Sequence, residues 1–391
     1  MKYGSSQVNS LPPYLFSVFH QKKKELQEKG IDIIDLGIGA PDLPTPDFII
    51  NRLINESRKP DNHKYSPYGG CLEFKQAVAG FYKKHYKVEV DPETEVQALI
   101  GSKEGIAHLI LAVLNPGDKV LIPDPGYPVY QSAVHLAHGT GVPLPLNSEK
   151  HYVPQFDHFK EDELKQVKLM LLNYPGNPTG ATVERETFKE ALDFASRYNI
   201  LTAHDAAYDL VTFKDYQAPS ILQIPGAKEA AVEFGSLSKS FNMTGWRMGY
   251  VVGNKDLIQA LSIVKSNIDT SQFPAIQKAG AEALNSDLST VKENNAVYYS
   301  RMKYMMAALK ELGIEADEPR GTFFIWAKIP EGFTSRAFTE KVLEEAGVIL
   351  TPGTAFGKLG EGYVRISLSV AMPRLEEAVL RLKKMNGGGS P

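Results

Sequence analysis

Ser236-Leu237-Ser238-Lys239-Ser240-Phe241-Asn242-Met243-Thr244-Gly245-Trp246-Arg247-Met248-Gly249 sets one amine and one guanidinium among small hydroxyls and glycines. The apolar run before it, Ala230-Ala231-Val232-Glu233-Phe234, reads as a buried strand. Ser236 to Ser240 then emerge at a strand's carboxyl end, where open α/β sheets bind their ligands. An isolated Ser-x-x-Lys is more often a solvated loop with an ordinary lysine, so the weight of this stretch depends on what the chain sets beside it.

Working outward, short apolar runs alternate with helical patterns. Val96–Ile100, Lys119–Pro123, Lys168–Leu172 and Ile200–Ala203 read as strands, and Leu72–His85, Ile106–Leu114 and Arg185–Tyr198 as helices. This alternation predicts an α/β fold with a mostly parallel sheet flanked by helices. Each strand runs into a polar or glycine-rich segment: Gly101-Ser102-Lys103-Glu104-Gly105, Asp124-Pro125-Gly126-Tyr127, Asn173-Tyr174-Pro175-Gly176-Asn177-Pro178-Thr179-Gly180 and His204-Asp205-Ala206-Ala207-Tyr208. After a strand at Gly249–Gly253 and a helix at Lys255–Lys265, the pattern changes. A long helix over Val291–Leu312 precedes strands at Thr322–Ile329, Val348–Leu350 and Tyr363–Leu368, between helices near Ser335–Ala346 and Arg374–Met385. We therefore expect a large domain over 45–280 and a smaller α+β domain built from 1–44 and 281–386, with 387–391 a linker-like tail. Tyr14–Gly30 reads as an amphipathic helix with Gly30 as its C-cap. The turn after Ile31–Leu36 lacks the third glycine of G-x-G-x-x-G, which argues against a dinucleotide site.

Composition narrows the function. With 391 residues and 43% apolar content the chain can bury a large core. A formal charge of −3 leaves no excess to neutralise a phosphate backbone, so nucleic acid is not an expected partner. The single cysteine, Cys71, excludes an internal disulfide framework and a paired-cysteine zinc site, and reads as a packed thiol. No metal site and no membrane segment are expected, and a cytoplasmic location is.

The strand ends carry one coherent chemistry. Asp205, after an apolar strand, is costly to bury without a cationic partner, and a protonated pyridine nitrogen is such a partner. Tyr208 and Asn177 can bond a ring hydroxyl. Lys239 supplies an amine that condenses with a carbonyl and then serves as general acid and base. Ser236, Ser238, Arg247 and the backbone N–H groups of Ser102 and Lys103 make a phosphate cradle. Tyr127 can cover a ring face. Together they offer the contacts that pyridoxal phosphate requires.

On these motifs the chain resembles the class I/II aminotransferases among the fold type I pyridoxal-phosphate enzymes, along nearly its whole length. Asp35-Leu36-Gly37-Ile38-Gly39-Ala40-Pro41-Asp42-Leu43-Pro44, Ile100-Gly101-Ser102-Lys103-Glu104-Gly105 and Pro123-Asp124-Pro125-Gly126-Tyr127-Pro128-Val129-Tyr130 look most like the LL-diaminopimelate aminotransferases and related broad-specificity enzymes. The resemblance implies that Lys239 is the covalent attachment point, with Arg365 gripping the substrate α-carboxylate, assisted by Gly39. It implies that Tyr65 crosses a homodimer interface to the neighbouring cofactor phosphate, and that Tyr14 touches substrate. Lys103 matches a lysine that one subgroup uses for a distal carboxylate. The implied reaction moves an amino group from an L-amino acid to a 2-oxo acid such as 2-oxoglutarate. Aspartate, methionine and aromatic donors stay open, because no arginine lies between Arg247 and Arg301 to mark a distal-carboxylate site. A β/γ-lyase and a non-catalytic cofactor-binding regulator are the rival readings on the same fold.

Overall fold

Continuous apolar strands cannot leave a face to water, and the strands of this chain are covered on both. The structure, a computed structural model, describes residues 3–11 and 23–387. In chain order the strands are β1 (Ile34–Asp35), β2 (Val96–Leu99), β3 (Lys119–Asp124), β4 (Thr140–Pro145), β5 (Val167–Asn173), β6 (Leu201–Asp205), β7 (Ala231–Ser236), β8 (Gly249–Gly253), β9 (Phe324–Lys328), β10 (Val348–Ile349), β11 (Thr351–Pro352) and β12 (Tyr363–Ser367). Seven of them form one sheet in the order β2-β8-β7-β6-β5-β3-β4. Only β8 runs antiparallel to its neighbours. Alternation along the strands feeds two apolar layers. Leu121, Met170, Leu172 and Val252 enter one; Val120, Ile122, Leu169, Leu171 and Val251 enter the other.

The topology decides where the site is. The parallel strands β2, β3, β5, β6 and β7 end on one edge at Leu99, Asp124, Asn173, Asp205 and Ser236. β8, running the other way, begins there, with Gly249 in register with both Ser236 and Leu99. The residues just before β8, Arg247 among them, therefore arrive at the same edge. A three-stranded antiparallel sheet, β11-β12-β9, and the parallel pair β1-β10 lie elsewhere. They share a third apolar core with the helices Ser289–Glu311, Ser335–Ala346 and Met372–Gly387.

Several sequence expectations are corrected. The helix expected at Ile106 starts at Ser102, so Ser102 and Lys103 occupy its first turn, behind Gly101 at φ +80°. After β6 the chain passes through turns at 207–210, which bring Tyr208 to the site. Sequence reading gave no element for β4, whose Thr140-Gly141-Val142-Pro143-Leu144-Pro145 carries two prolines; such a strand is tolerated at a sheet edge, where it lies. The helices Asp47–Ser57, Val129–Leu136 and Pro274–Asn285 were also not anticipated. Of the expected Tyr14–Gly30 helix, residues 23–28 are helical and Gly30 takes φ +78°, as a C-cap requires; the part containing Tyr14 lies outside the described residues. The last helix takes in Gly387, the first residue of the expected tail. Among the described residues no helix is long and apolar enough to cross a membrane.

Beneath the sheet edge Asp209 is 8% exposed and accepts hydrogen bonds from Tyr86 Oη (3.0 Å) and Leu210 N–H (2.8 Å). Burial, then the nearby Glu233 carboxylate, pushes its carboxyl up to about 7. An acid whose folded value is raised keeps its proton while the unfolded chain loses it, so stability falls as pH rises from the unfolded value near 4 through about 7. Asp209→Asn still accepts Leu210 N–H at Oδ1, can donate from Nδ2 to Tyr86 Oη, and removes this cost. In urea titrations the variant should match the parent near pH 4 and exceed it by up to about 4 kcal/mol at pH 8. Equal stability at both pH values would contradict the assignment.

Candidate active site

A cavity of 390 Å³ opens at the edge where the parallel strands end. It brings together Gly39, Ser102, Lys103, Tyr127, Asn177, Asp205, Tyr208, Ser236, Ser238, Lys239, Arg247 and Arg365, candidate residues from seven separate segments of the sequence. Tyr65 is not among the lining residues: its ring is 93% exposed. Tyr14 lies outside the described residues.

At the cavity's centre, β7 ends at Ser236, whose hydroxyl caps the single helical turn Leu237–Ser240 by accepting from Ser238 N–H (3.2 Å). That turn points Lys239 inward, its Nζ 2.9 Å from Gly39 O and 5.8 Å from the centre of the Tyr208 ring. Burial, then the charges of Arg365 and Arg247, lowers the Lys239 amine to about 8, with Asp205 opposing. An amine poised there is about half unprotonated, and so nucleophilic, near pH 8, where an ordinary lysine is almost wholly protonated.

Arg247 sits in the left-handed region (φ 54°) and donates from Nη1 to Thr244 O (3.0 Å). Its guanidinium lies over Gly101, where a Cβ would come within 2.2 Å of Nη2. Only glycine admits both that approach and φ +80°. No local sequence pattern marks Gly101, because the requirement comes from Arg247, 146 positions away. Arg247, Ser236, Ser238 and the first turn of the helix Ser102–Val113 line the cavity together, a guanidinium, two hydroxyls and a helix N-terminus of the kind that suits an anion.

Arg365, also in the lining, is 2% exposed. Its guanidinium lies between the rings of Phe324 (4.2 Å) and Phe356 (4.8 Å). Nη1 donates to Asn177 Oδ1 (2.8 Å) and Nη2 to Gly37 O (2.5 Å). The carbonyl that Arg365 uses is thus Gly37's, while that of Gly39 serves Lys239. Gly39 must still be glycine, because a Cβ would meet the Phe324 ring at 2.5 Å. Since Asn177 Oδ1 accepts from Arg365, its Nδ2 is the end directed elsewhere, as a donor.

Asp205 is buried at the tip of β6. Oδ2 accepts from Tyr130 Oη (2.7 Å) and Oδ1 from Ala207 N–H (3.2 Å). Burial raises its carboxyl above the ordinary range, with Tyr130, Ala207, His204 and Lys239 pulling the other way. Burial likewise keeps the Tyr208 phenol protonated, hence a donor. Tyr130 and Asn173 are functional neighbours that the sequence had given no role. Asn173 binds Asp205 O through Nδ2 (2.7 Å) and accepts Asn177 N–H at Oδ1 (2.8 Å).

Pyridoxal phosphate fits this set. The cavity lining contains four cationic side chains, Lys103, Lys239, Arg247 and Arg365, against one acid, Asp205. Such an excess suits a ligand with two anionic ends, a phosphate at Arg247 and a carboxylate at Arg365. The acid, with two protein donors, has capacity for a third, charged one at a ring nitrogen. Lys265, in the segment where a distal-carboxylate arginine was sought, is fully buried on Glu104 (2.9 Å) and Asp269 (2.8 Å) and points into neither end. Cys71 is half-buried with its thiol pushed up by burial, as a packed thiol should be.

Comparison with known proteins agrees with the geometry. The family described as aminotransferase class I and II matches residues 31–382. The chain is 46% identical to the LL-diaminopimelate aminotransferase of Moorella thermoacetica over 380 residues, 97% of each chain. It is 48% identical to that of Aquifex aeolicus over 381 residues, 97% of this chain and 98% of the relative. Among solved structures, substrate-bound BacF from Bacillus subtilis superposes with a TM-score of 0.95 at 40% identity, covering 99% of this chain and 98% of that one. Aspartate aminotransferase from Thermotoga maritima superposes at 0.89 with 28% identity, over 97% and 99%.

Proposed function

The chain belongs to the class I and II aminotransferases, and from that premise we propose that its amino donor is LL-diaminopimelate or a close analogue and its acceptor 2-oxoglutarate. It is a transaminase of the fold type I architecture with pyridoxal phosphate as cofactor. The observation that carries the proposal is that Lys239 shares one cavity with Asp205, Arg247 and Arg365, whose charges all act on its amine. The names of the relatives support the choice of donor.

Pyridoxal phosphate, when bound, supplies an aldehyde for the substrate amine and a protonated ring that accepts the electrons released from Cα. The chain's residues do the rest. Arg247, Ser236, Ser238 and the N–H groups of Ser102 and Lys103 would hold its phosphate. Asp205 would hold the proton on the ring nitrogen, Asn177 and Tyr208 would donate to the ring oxygen, and Tyr127 would cover a ring face. Arg365 grips the α-carboxylate with two parallel N–H donors, and its aromatic neighbours keep water from it. Lys239 Nζ takes the α-proton and gives it up again, and Lys103 is the cation available to a distal carboxylate.

A donor panel with 2-oxoglutarate, followed by loss of the visible absorbance of the bound cofactor, tests the substrate. LL-diaminopimelate should react fastest; rapid reaction with aspartate alone would overturn the choice. Arg365→Lys should raise KM for the amino acid by about 10- to 100-fold, since a point charge cannot reproduce the bidentate grip, while cofactor affinity stays within a few-fold. An unchanged KM would remove Arg365 from the substrate site.

Two further expectations join this reading. A second copy of the chain supplies Tyr65, whose exposed ring is then an interface residue reaching the neighbouring phosphate; light scattering should return the mass of a dimer. The cytoplasm is the proposed location.

A further inference from the structure

The site residues sit on strand ends, and a second set of buried groups ties those ends together from below. His204 alternates with Asp205 along β6, so its side chain faces away from the cavity. It is 0% exposed and lies against the Phe188 ring, centroids 4.6 Å apart. Nδ1 is 2.7 Å from Glu233 Oε2. Glu233 also accepts from Tyr82 Oη (2.6 Å), Ser220 Oγ (2.7 Å) and Ile221 N–H (2.9 Å). Burial pushes the Glu233 carboxyl up, but the hydrogen bonds from His204, Tyr82 and Ser220 outweigh it and hold the group below its ordinary range. The carboxylate therefore fixes a proton on His204 Nδ1. Nε2 faces the Tyr174 peptides, 3.0 Å from the carbonyl oxygen and 3.3 Å from the amide nitrogen. Protonated, it donates to the oxygen; bare, it accepts from the N–H. Either form closes the contact.

Tyr174 is the first residue beyond β5, and Asn173, the last residue within it, returns the favour by bonding Asp205 O (2.7 Å). Each of two adjacent strands thus sends a side chain to the backbone of the other, where the ladder stops at Asn173↔Asp205. Asn173 also orients Asn177 (2.8 Å). The two ends so joined deliver Asn177 and Asp205.

We propose that His204 is a positioning residue: anchored by Glu233, it clamps the Tyr174 backbone and so holds Asn177 and Asp205 at the spacing at which both can engage the ring of pyridoxal phosphate. This rests on the aminotransferase reading above. His204 does not line the cavity, and a residue that only filled the core would affect stability without affecting the ring contacts.

The test measures the Kd of pyridoxal phosphate for the apoenzyme, titrated by its visible absorbance, together with the thermal midpoint of the apoenzyme. His204→Asn keeps a donor toward Glu233 but falls short of Tyr174, and should weaken cofactor binding by about tenfold, the scale of one such hydrogen bond. His204→Gln, long enough to reach Tyr174, should stay within about threefold. Ser220→Ala removes a donor from the same carboxylate without touching Tyr174; it should lower the midpoint and leave Kd unchanged. If His204→Asn lowers only the midpoint, as Ser220→Ala does, the clamp is refuted. Should His204→Asn not fold, His204→Phe fills the same space against Phe188 but offers no hydrogen bond to Tyr174, and should give the same tenfold loss; an unchanged Kd there also refutes it. A wild-type apoenzyme that takes up no pyridoxal phosphate would instead overturn the aminotransferase reading itself.

Discussion

Lys239→Ala abolishes useful turnover: kcat for the best donor pair falls by at least about 10³-fold, because a group that acts as both nucleophile and general acid–base is removed. Cofactor binding survives in weakened form, since the Arg247 end and Asp205 are untouched, so the variant still takes up pyridoxal phosphate but with an altered visible spectrum. Turnover within tenfold of the parent would end the assignment of Lys239. The same substitution has an opposite effect on the apoenzyme. A base whose folded value is lowered to about 8 keeps fewer protons than the unfolded chain between that pH and its ordinary 10.5, so stability rises with pH across that window. Below pH 8 the cost of the buried ammonium, pressed by Arg365 and Arg247, is fully present. Apo Lys239→Ala should therefore be more stable than the parent at pH 7 by up to about 3 kcal/mol before the lost packing of the side chain is subtracted. That difference should shrink toward pH 10. A denaturant titration at the two pH values reads it directly.

How far the site could be read beforehand follows from what each residue depends on. Lys239, Asp205 and Asn177 announce themselves because each sits in a short motif just past an apolar run, and a parallel sheet carries such ends to one edge. The edge strand β4 could not be read, since its prolines break the pattern that burial imposes on the central strands. Gly101 was invisible because its constraint is the Arg247 guanidinium, and Tyr130 because its partner Asp205 is 75 residues away. The sequence pattern starts this helix at Ile106, but it begins at Ser102: Ser102, Lys103 and Glu104 have the composition of a loop, and the turn is closed by Glu104 accepting Ile100 N–H (2.9 Å). Arg365 was placed by resemblance only; its setting between Phe324 and Phe356 joins β9, β12 and the turn Gly353–Phe356, which no local pattern links.

Asp205→Asn separates the catalytic demand on this carboxyl from its structural cost. Asparagine keeps the turn bond by accepting Ala207 N–H at Oδ1, and its Nδ2 can donate to Tyr130 Oη where the carboxylate accepted from it, so the pocket keeps its shape. What it cannot do is hold a proton on the ring nitrogen by charge. Losing one preorganised charge in a water-excluded site lowers kcat by about 10³-fold. The bound cofactor's visible band should shift as well, because the ring nitrogen is no longer kept protonated. The apoenzyme should respond in the other direction. Burial raises the Asp205 carboxyl, so in the absence of a cationic ring the folded state resists its ionisation, and stability declines as pH climbs past the unfolded value of 3.8. Asp205→Asn escapes that decline: the apo variant should be at least as stable as the parent at pH 7 and converge with it toward pH 4. In the holoenzyme the ranking reverses, since only aspartate is compensated by the pyridinium charge. Thermal midpoints of both proteins with and without cofactor therefore form a cycle whose sign is fixed in advance. A variant that is less stable in the apo form, or that keeps more than a tenth of the parent's turnover, would mean that the ring nitrogen is not held by Asp205.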